Sequence, residues 1–243
     1  MSAGEVFGCD TNNYRLQVFG LDGSFVREWG TKGRDVGQFC YPRSVVVSGE
    51  EVIVLEIFRI QVFGLDGSFL RQWGTWGERE GEFHDPTGVS VSCGEVFVCD
   101  CDNDRIQVFG LDGSFLRQWG GQFLPRPRHV LVSGGEVYVS EHDSTVILVC
   151  GLDGSLLRRL LTEAKGVFGG VTISGDEMVV CAEMPQENLL QVFGLDGSRL
   201  RNVHVQGQLT PYVDDMTVSD GNLFVCGANP GPGVPMVSTM RAN

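Results

Sequence analysis

The chain has 243 residues, of which 42% are apolar and 20% charged, and its net charge at pH 7 is −13. These proportions are typical of a folded globular protein and exclude an intrinsically disordered chain. The negative charge disfavours nucleic acid as a partner, because phosphate binding needs a basic surface. No apolar run approaches the roughly 18 residues that a membrane span requires.

The first ten residues, MSAGEVFGCD, lack the basic and apolar segments of a secretory signal. We therefore expect a soluble, cytoplasmic protein that makes no membrane contact. The eight cysteines do not form paired CxxC motifs, so a structural zinc site has little support. Four of them follow equivalent apolar runs, which predicts packing roles for these thiols. These four are Cys9, Cys99, Cys181 and Cys226.

Taken in chain order, the predicted elements are short strands separated by turn residues. Three strands come first, beginning with residues 5–9. Four complete sets of four strands follow, and two strands are predicted at 216–219 and 222–226. No segment has convincing helical periodicity. The four sets start near Ser44, Gly88, His129 and Val171.

One sequence recurs through the strands: QVFGLDGSF, which begins at Gln17, Gln61 and Gln107. Altered copies begin at Leu148 and Gln191, so the copies are 41 to 46 residues apart. A repeat of this length, built of four strands, predicts a β-propeller of four-stranded antiparallel blades. A linear solenoid is the poorer alternative, because radial packing buries both faces of each sheet.

The GLDGS segment within the repeat predicts a tight hairpin turn. In the second copy, Asp66 is expected to bond the backbone just downstream. Folding about this residue predicts Phe63 opposite Phe69 and Gln61 opposite Arg71.

Each fourth strand carries an arginine, and we interpret this strand as the outer edge of its blade. Charge on an edge prevents pairing between molecules. The alternative is an arginine belt that binds a partner. These arginines are Arg27, Arg71, Arg117, Arg158 and Arg201.

The fullest copy of the repeat runs from Pro86 to Pro125 and contains G-E-V-F-V-C-D, N-D-R-I-Q-V-F, D-G-S-F and W-G. This pattern resembles the NHL repeat, and the resemblance covers nearly the whole chain. It implies six blade positions with incomplete terminal blades; five closed blades are the alternative. We expect one domain over 1–243, with a Pro/Gly-rich and irregular tail at 227–243.

The sequence offers little support for catalysis. The four histidines fall at four different positions of the repeat, and no nucleophile, metal or dinucleotide motif occurs. The serines of the DGS turns recur in every copy, which indicates a structural role. We therefore expect no enzyme activity, no cofactor and no metal. The alternative is a propeller lyase or hydrolase with its site at the central channel.

Residues that differ between copies are the better candidates for binding a partner. Trp76 lies in a charged loop between Trp73 and Phe83, where it is either an exposed binding anchor or packed on its own blade. The other candidates lie just before the first strand of a blade. They are Arg43, Thr87, Arg128, His129, Asp214 and Asp215.

The leading hypothesis is therefore a non-enzymatic module that binds one or more proteins. The NHL resemblance implies roles in protein interaction, including substrate recognition in ubiquitin ligases, although this chain has no RING motif. RNA binding, which the resemblance also implies, is disfavoured by the charge of −13. The sequence does not indicate an oligomeric state.

Overall fold

The computed structural model describes residues 4–142, 144–161, 168–182, 189–204, 213–219, 222–227 and 237–241. Within these residues the chain forms β-strands and three short 3₁₀ turns, at Thr11–Asn13, Cys101–Asn103 and Gly121–Phe123. None of the residues described belongs to a helix long and apolar enough to cross a membrane. The chain divides into two compact units, Met1–Val132 and Ser133–Asn243.

The first unit contains the strands up to β14, which ends at the boundary. They are β1 (Glu5–Asp10), β2 (Arg15–Gly20), β3 (Phe25–Trp29), β4 (Pro42–Ser48), β5 (Glu51–Glu56), β6 (Ile60–Gly64), β7 (Phe69–Trp73), β8 (Thr75–Trp76), β9 (Glu82–Phe83), β10 (Pro86–Ser92), β11 (Glu95–Asp100), β12 (Arg105–Gly110), β13 (Phe115–Gly120) and β14 (Pro127–Ser133).

The second unit contains the remaining ten strands. They are β15 (Glu136–Glu141), β16 (Val146–Gly151), β17 (Leu156–Leu161), β18 (Phe168–Ser174), β19 (Glu177–Ala182), β20 (Leu189–Gly194), β21 (Arg199–His204), β22 (Val213–Ser219), β23 (Asn222–Gly227) and β24 (Val237–Arg241).

Apart from the parallel pair β8–β9, the described strands form antiparallel sheets in strict chain order. Four sheets have four strands (β4–β7, β10–β13, β14–β17 and β18–β21), and the terminal sheets β1–β3 and β22–β24 have three. In the first unit β4 contacts β1 and β10, and in the second β18 contacts β15 and β22. The predicted fold class, an all-β propeller of four-stranded blades, is confirmed.

The terminal blades are incomplete. The β1–β3 sheet lacks only a first strand, and with the four complete sheets it makes five blades, the alternative count; β22–β24 is a further three-stranded sheet at the other end of the described chain. The strands β22 and β23 cover the two predicted final strands. The tail adds β24, and residues 228–236 and 242–243 lie outside the described residues.

The core lies along the middle strands of each sheet. Five of the six residues in β11 and in β12 are buried, whereas β13 alternates between half-buried and exposed positions. Ile53 and Ile60 of one sheet pack with Val98 and Phe109 of the next. The sheets are therefore joined by apolar packing between their faces.

The predicted hairpin turn is confirmed. The amide of Ser68 donates to Asp66 Oδ1 at 2.9 Å. The rings of Phe63 and Phe69 are opposite each other, with centroids 6.0 Å apart in an edge-on arrangement.

The predicted register beyond the aromatic pair is wrong by one residue. A β-bulge on β7 inserts Leu70 opposite the step from Val62 to Phe63, so Gln61 pairs with Gln72 and Val62 pairs with Arg71. The same shift recurs in β12, where Val108 is opposite Arg117. The bulge is therefore a property of the repeat.

The arginines of the fourth strands join neighbouring structure within each unit. Arg71 donates to both carboxylate oxygens of Glu51, at 2.7 and 2.6 Å, and to the carbonyl of Leu111 in the next blade's turn. The other four arginines make the same two-pronged pair with the glutamate that begins the second strand. These pairs are Arg27–Glu5, Arg117–Glu95, Arg158–Glu136 and Arg201–Glu177.

The cysteines described in the structure are free thiols. Cys99, Cys101 and Cys150 are buried, and burial raises the pKa of Cys101 and of Cys150 to about 11. These thiols are protonated at neutral pH and serve as small core side chains. The side chains of Cys181 and Cys226 lie outside the described residues.

The tryptophans that end β3 and β7, Trp29 and Trp73, pack on the turn of the next blade. Trp73 lies 6.0 Å from Phe109 between ring centroids, and it covers Gly113. A Cβ atom added at Gly113 would lie 2.7 Å from Trp73 Cε3, whereas one added at Gly23 would meet nothing within 4 Å. Both glycines have positive φ, +86° and +81°.

These two glycines make a matched pair for a stability test. We expect Gly113→Ala to lower the free energy of unfolding by about 2–4 kcal/mol, from backbone strain and from overpacking against Trp73. Gly23→Ala has the strain alone and is expected to cost about 1–2 kcal/mol. Denaturant unfolding measures both; equal losses would show that the tryptophan contact adds nothing.

The paired edge glutamates predict a loss of stability in acid. Hydrogen bonds from the arginines lower the pKa of Glu5, Glu51, Glu95, Glu136 and Glu177 below the ordinary value of 4.5. A carboxylate with a lowered folded pKa stabilises the protein above the unfolded value, and that contribution is lost as the pH falls through the folded value.

We therefore expect the midpoint temperature of thermal unfolding to decrease as the pH is lowered from about 4.5 towards about 3. Glu51→Gln should flatten the dependence, because it removes one of the titrating carboxylates. Burial raises the pKa of Glu56, which acts in the opposite direction. A midpoint temperature that increases on acidification would show that the edge glutamates do not outweigh Glu56.

Candidate protein-binding surface

Two buried groups of polar residues fix the loops that precede the four-stranded sheets β4–β7 and β10–β13. We call each group a polar clamp; it consists of the acid that ends a second strand, and the arginine and glutamine that follow. The first polar clamp is Glu56, Arg59 and Gln61, and the second is Asp100, Arg105 and Gln107.

Within each polar clamp the carboxylate accepts hydrogen bonds from the other two side chains. Arg105 Nε donates to Asp100 Oδ2 at 2.7 Å, and Gln107 Nε2 donates to the same oxygen at 3.0 Å. The carboxylate of Asp100 is fully buried and Arg105 is nearly so. The charged groups therefore satisfy one another away from water.

The second polar clamp holds the loop between β8 and β10 by its backbone. Arg105 donates to the carbonyls of Glu78, Arg79 and Glu82 at 2.8 to 2.9 Å. Gln107 donates to the Glu82 carbonyl and accepts from the amide of Gly81. The loop is thereby fixed through atoms that do not depend on its side chains.

The first polar clamp acts in the same way on the earlier loop. Arg59 donates to the carbonyls of Arg34, Asp35 and Gln38. Burial raises the pKa of Glu56 even though Arg59 and Gln61 donate to it, because the carboxylate is removed from water.

The loop held by the second polar clamp carries Trp76. This residue ends β8, which pairs in parallel with β9 so that Trp76 is opposite Phe83. Asn103 Nδ2 donates to the carbonyl of Gly77 at 3.0 Å, directly after the tryptophan. Phe83 is fully buried, but the Trp76 side chain is 67% exposed. The structure thus shows exposure rather than packing on its own blade.

Charged side chains extend from Trp76 across the surface of the first unit. The ring of His84 meets the Trp76 ring edge-on, with centroids 5.3 Å apart. His84 Nε2 lies 3.9 Å from Asp102 Oδ2, and Arg126 Nε lies 3.8 Å from Asp102 Oδ1. All of these side chains are at least one-third exposed, so water solvates the pairs and the attraction within each pair is weak.

A second connection leads from His84 to the start of β4. Asp85, the next residue, accepts a hydrogen bond from Arg43 Nη2 at 2.6 Å. We call the connected set the Trp76 surface. It comprises Arg43, Trp76, His84, Asp85, Asp102 and Arg126.

Backbone geometry fixes part of the Trp76 surface. Asp85 and Arg126 have φ of 50° and 44°, as does Tyr41 with 54°, and each precedes a proline that begins a first strand. Such a conformation is strained for residues other than glycine. The positive φ recurs at the same position of the repeat, so it belongs to the way in which the chain enters the first strand of a blade.

The predicted binding residues separate into two groups. Arg43 and Trp76 belong to the Trp76 surface. Thr87 and Arg128 lie nearby in the same unit, and Thr87 Oγ1 donates to the Arg128 carbonyl at 2.7 Å. His129 is half-buried on β14.

Asp214 and Asp215 lie in the second unit on β22, where a register shift falls between Val213 and Asp215. Their side chains lie outside the described residues. The proposed roles of Asp214 and Asp215 therefore stay predictions.

Sequence reasoning missed His84, Asp85, Asp102 and Arg126, because each is an ordinary loop residue when considered alone. It also missed that the arginine of the polar clamp bonds the backbone of the preceding loop. The order of acid, arginine and glutamine is visible in the sequence, but nothing in that order indicates that the arginine bonds the loop before it.

The described residues contain no cluster of three or more His, Cys, Asp or Glu side chains placed to hold a metal ion. What the Trp76 surface does offer is an exposed aromatic ring surrounded by charges of both signs. Such a combination can bury apolar area and form hydrogen bonds with another protein.

Comparison with known proteins agrees with the fold. The NHL repeat family matches residues 83–109, which include Asp100, Arg105 and Gln107 of the second polar clamp. No curated protein sequence matches the chain significantly.

Among solved structures, a protein of unknown function from Bacteroides caccae superposes with a TM-score of 0.75, at 13% identity over 99% of this chain and 91% of that one. An inactive variant of virginiamycin B lyase from Staphylococcus aureus, solved with quinupristin, gives 0.68 at 13% identity, over 99% and 82% of the two chains. A computationally designed protein gives 0.57 at 16% identity, over 99% and 94%. At these identities the likeness concerns the fold alone.

The polar clamp can be tested by removing its carboxylate. We expect Asp100→Ala to cost about 3–5 kcal/mol in the free energy of unfolding, because it leaves the Arg105 charge buried without its partner. Amide exchange at Gly81 and His84 should also accelerate, since Asp100 and Gln107 hold these groups.

Asp10→Ala is the matched control. Asp10 pairs with Arg15 in the first sheet, where the arginine side chain is 32% exposed, so water can replace the pair. We expect a loss below about 1 kcal/mol there. Similar losses in the two variants would contradict the structural importance of the buried clamp.

Proposed function

Because the chain carries an NHL repeat within a propeller of four-stranded blades, we propose that it is a non-enzymatic binding module whose Trp76 surface holds a protein partner. The observation that carries the proposal is the 67% exposure of Trp76 on a loop that the second polar clamp fixes. Exposed tryptophan is costly in water and is enriched among residues that dominate protein interfaces.

The fixed loop supports this proposal through entropy. Binding normally incurs a cost for ordering loops and side chains at the interface. Here the backbone directly after Trp76 is already bonded, the Gly77 carbonyl to Asn103 and the Glu78 carbonyl to Arg105. Because the loop is ordered before binding, the free energy gained by burying Trp76 is not offset by the entropy lost in ordering the loop.

The charges of the Trp76 surface favour protein over nucleic acid as the partner. Arg43 faces Asp85 and Arg126 faces Asp102, so the cations are balanced by acids at close range. Nucleic acid binding depends on unbalanced positive charge. Mixed charge around an aromatic residue suits a protein surface with its own polar rim.

A narrower form of the proposal is substrate recognition within a ubiquitin-ligase-type system. In that case the ligase chemistry would reside in another domain or subunit, and the Trp76 surface would hold the substrate. The lyase named among the similar structures shares the fold at 13% identity and supplies no argument for catalysis here.

The test compares wild type with Trp76→Ala in quantitative affinity capture. Leu116→Ala is the matched control, because it also removes an exposed apolar side chain from the same unit (46% exposed). We expect specific partners to decrease at least tenfold with Trp76→Ala, since hot-spot tryptophans contribute about 2 kcal/mol or more. The free energy of unfolding should change by less than about 0.5 kcal/mol.

A purified partner then allows a direct measurement. Its titration should change the fluorescence of wild-type protein, and the affinity should fall with Trp76→Ala and not with Leu116→Ala. Equal capture by all three proteins would remove the Trp76 surface from consideration.

A further inference from the structure

A second surface lies on the outer edge of β17, in the second unit. The fourth strands of the other sheets share one arrangement: an exposed apolar residue followed two positions later by a polar one. In β7 and β13 that polar residue is Gln72 or Gln118, whose Oε1 accepts a hydrogen bond from the polar clamp arginine of its own sheet. Those edges are therefore tied to the structure behind them.

The β17 strand differs in which polar residue it carries and in what that residue can bond. Arg159 occupies the position of the glutamine, and Val146 occupies that of the clamp arginine, so the bond cannot form. Leu157 and Leu161 are 52% and 73% exposed on either side of Arg159, which is also exposed. Leu161 is the most exposed large apolar side chain among the described residues.

Arg159 forms no hydrogen bond or ion pair with the rest of the second unit's described residues. Its charge acts at longer range on Glu141, whose pKa is raised by burial against the opposing effect of this arginine. The guanidinium group therefore faces solvent with its five donors available.

The backbone of β17 is available as well. Among the strands that the structure describes, β17 is the last of its sheet and pairs with β16 alone. An edge strand presents a row of unpaired N–H and C=O groups, to which an extended chain can add as a new strand. Its outward side chains then alternate as leucine, arginine and leucine.

A second copy of this protein fits the edge poorly. Antiparallel pairing that places Leu157 opposite Leu161 also places Arg159 opposite Arg159, and like charges directly opposite are unfavourable. The net charge of −13 adds repulsion between copies. A partner strand with an acidic residue opposite Arg159 would instead have the complementary charge.

We propose that the β17 edge binds an extended segment of another protein, in which apolar, acidic and apolar side chains alternate along one face. The segment adds as a fifth strand beside β17. Its carboxylate meets Arg159, and its apolar side chains cover Leu157 and Leu161. This surface is separate from the Trp76 surface and does not depend on the function proposed for it.

Two labelled, end-blocked peptides test the proposal by fluorescence anisotropy in low salt. Their cores are Val-Thr-Glu-Thr-Val and Val-Thr-Lys-Thr-Val, which differ only in the charge presented to Arg159. We expect wild-type protein to prefer the glutamate peptide by about three- to tenfold, the range for a single cross-strand charge pair and its reversal. Arg159→Glu should reverse the preference, and Leu161→Ser should weaken both peptides.

Asn202→Glu is the matched control, because Asn202 occupies the equivalent position on β21. It should leave both affinities within twofold of wild type. Equal affinity of wild type for both peptides, a preference that survives Arg159→Glu, or no binding up to millimolar peptide would each overturn the proposal. So would self-association in sedimentation that Leu161→Ser abolishes, because the occupant would then be a second copy.

Discussion

The first unit depends above all on the polar clamp, in which a buried carboxylate orients an arginine and a glutamine towards the backbone of the preceding loop. Apolar packing joins the sheets, but it cannot satisfy the carbonyl groups of a long loop that passes over them. Arg105 alone satisfies three such carbonyls, those of Glu78, Arg79 and Glu82. Because buried polar groups must be paired, the loop adopts one conformation, and the exposure of Trp76 follows from it.

The fold could be predicted from the sequence because its signal is periodic. The interval of the repeat and the Asp66–Gly67 turn indicate four-stranded blades without any knowledge of tertiary contacts. The predicted register failed at Gln61 because a bulge on β7 adds Leu70 opposite Val62 and Phe63, and a bulge leaves no distinct mark in an alternating apolar pattern.

The binding surface was less accessible to sequence reasoning. Trp76 and Arg43 could be chosen because the copies differ there. His84 and Asp102 could not, since their proximity to Trp76 depends on how one loop lies against a neighbouring blade. The same limit explains the edge arginines. The sequence places Arg71 on an outer strand, but its bond to Glu51 crosses two strands of one sheet, and its bond to the Leu111 carbonyl arises only when two blades meet.

The direction in which the polar clamp reaches has a consequence for how the chain acquires its structure during synthesis. Its donors lie 21 to 27 positions after the carbonyls that they bond. A loop that leaves the ribosome therefore has no partner until the middle strands of the following blade have emerged. In the two sheets that carry a polar clamp, the loop before the sheet therefore stays unbonded at the growing end of the chain until the arginine and glutamine of that same sheet have been made.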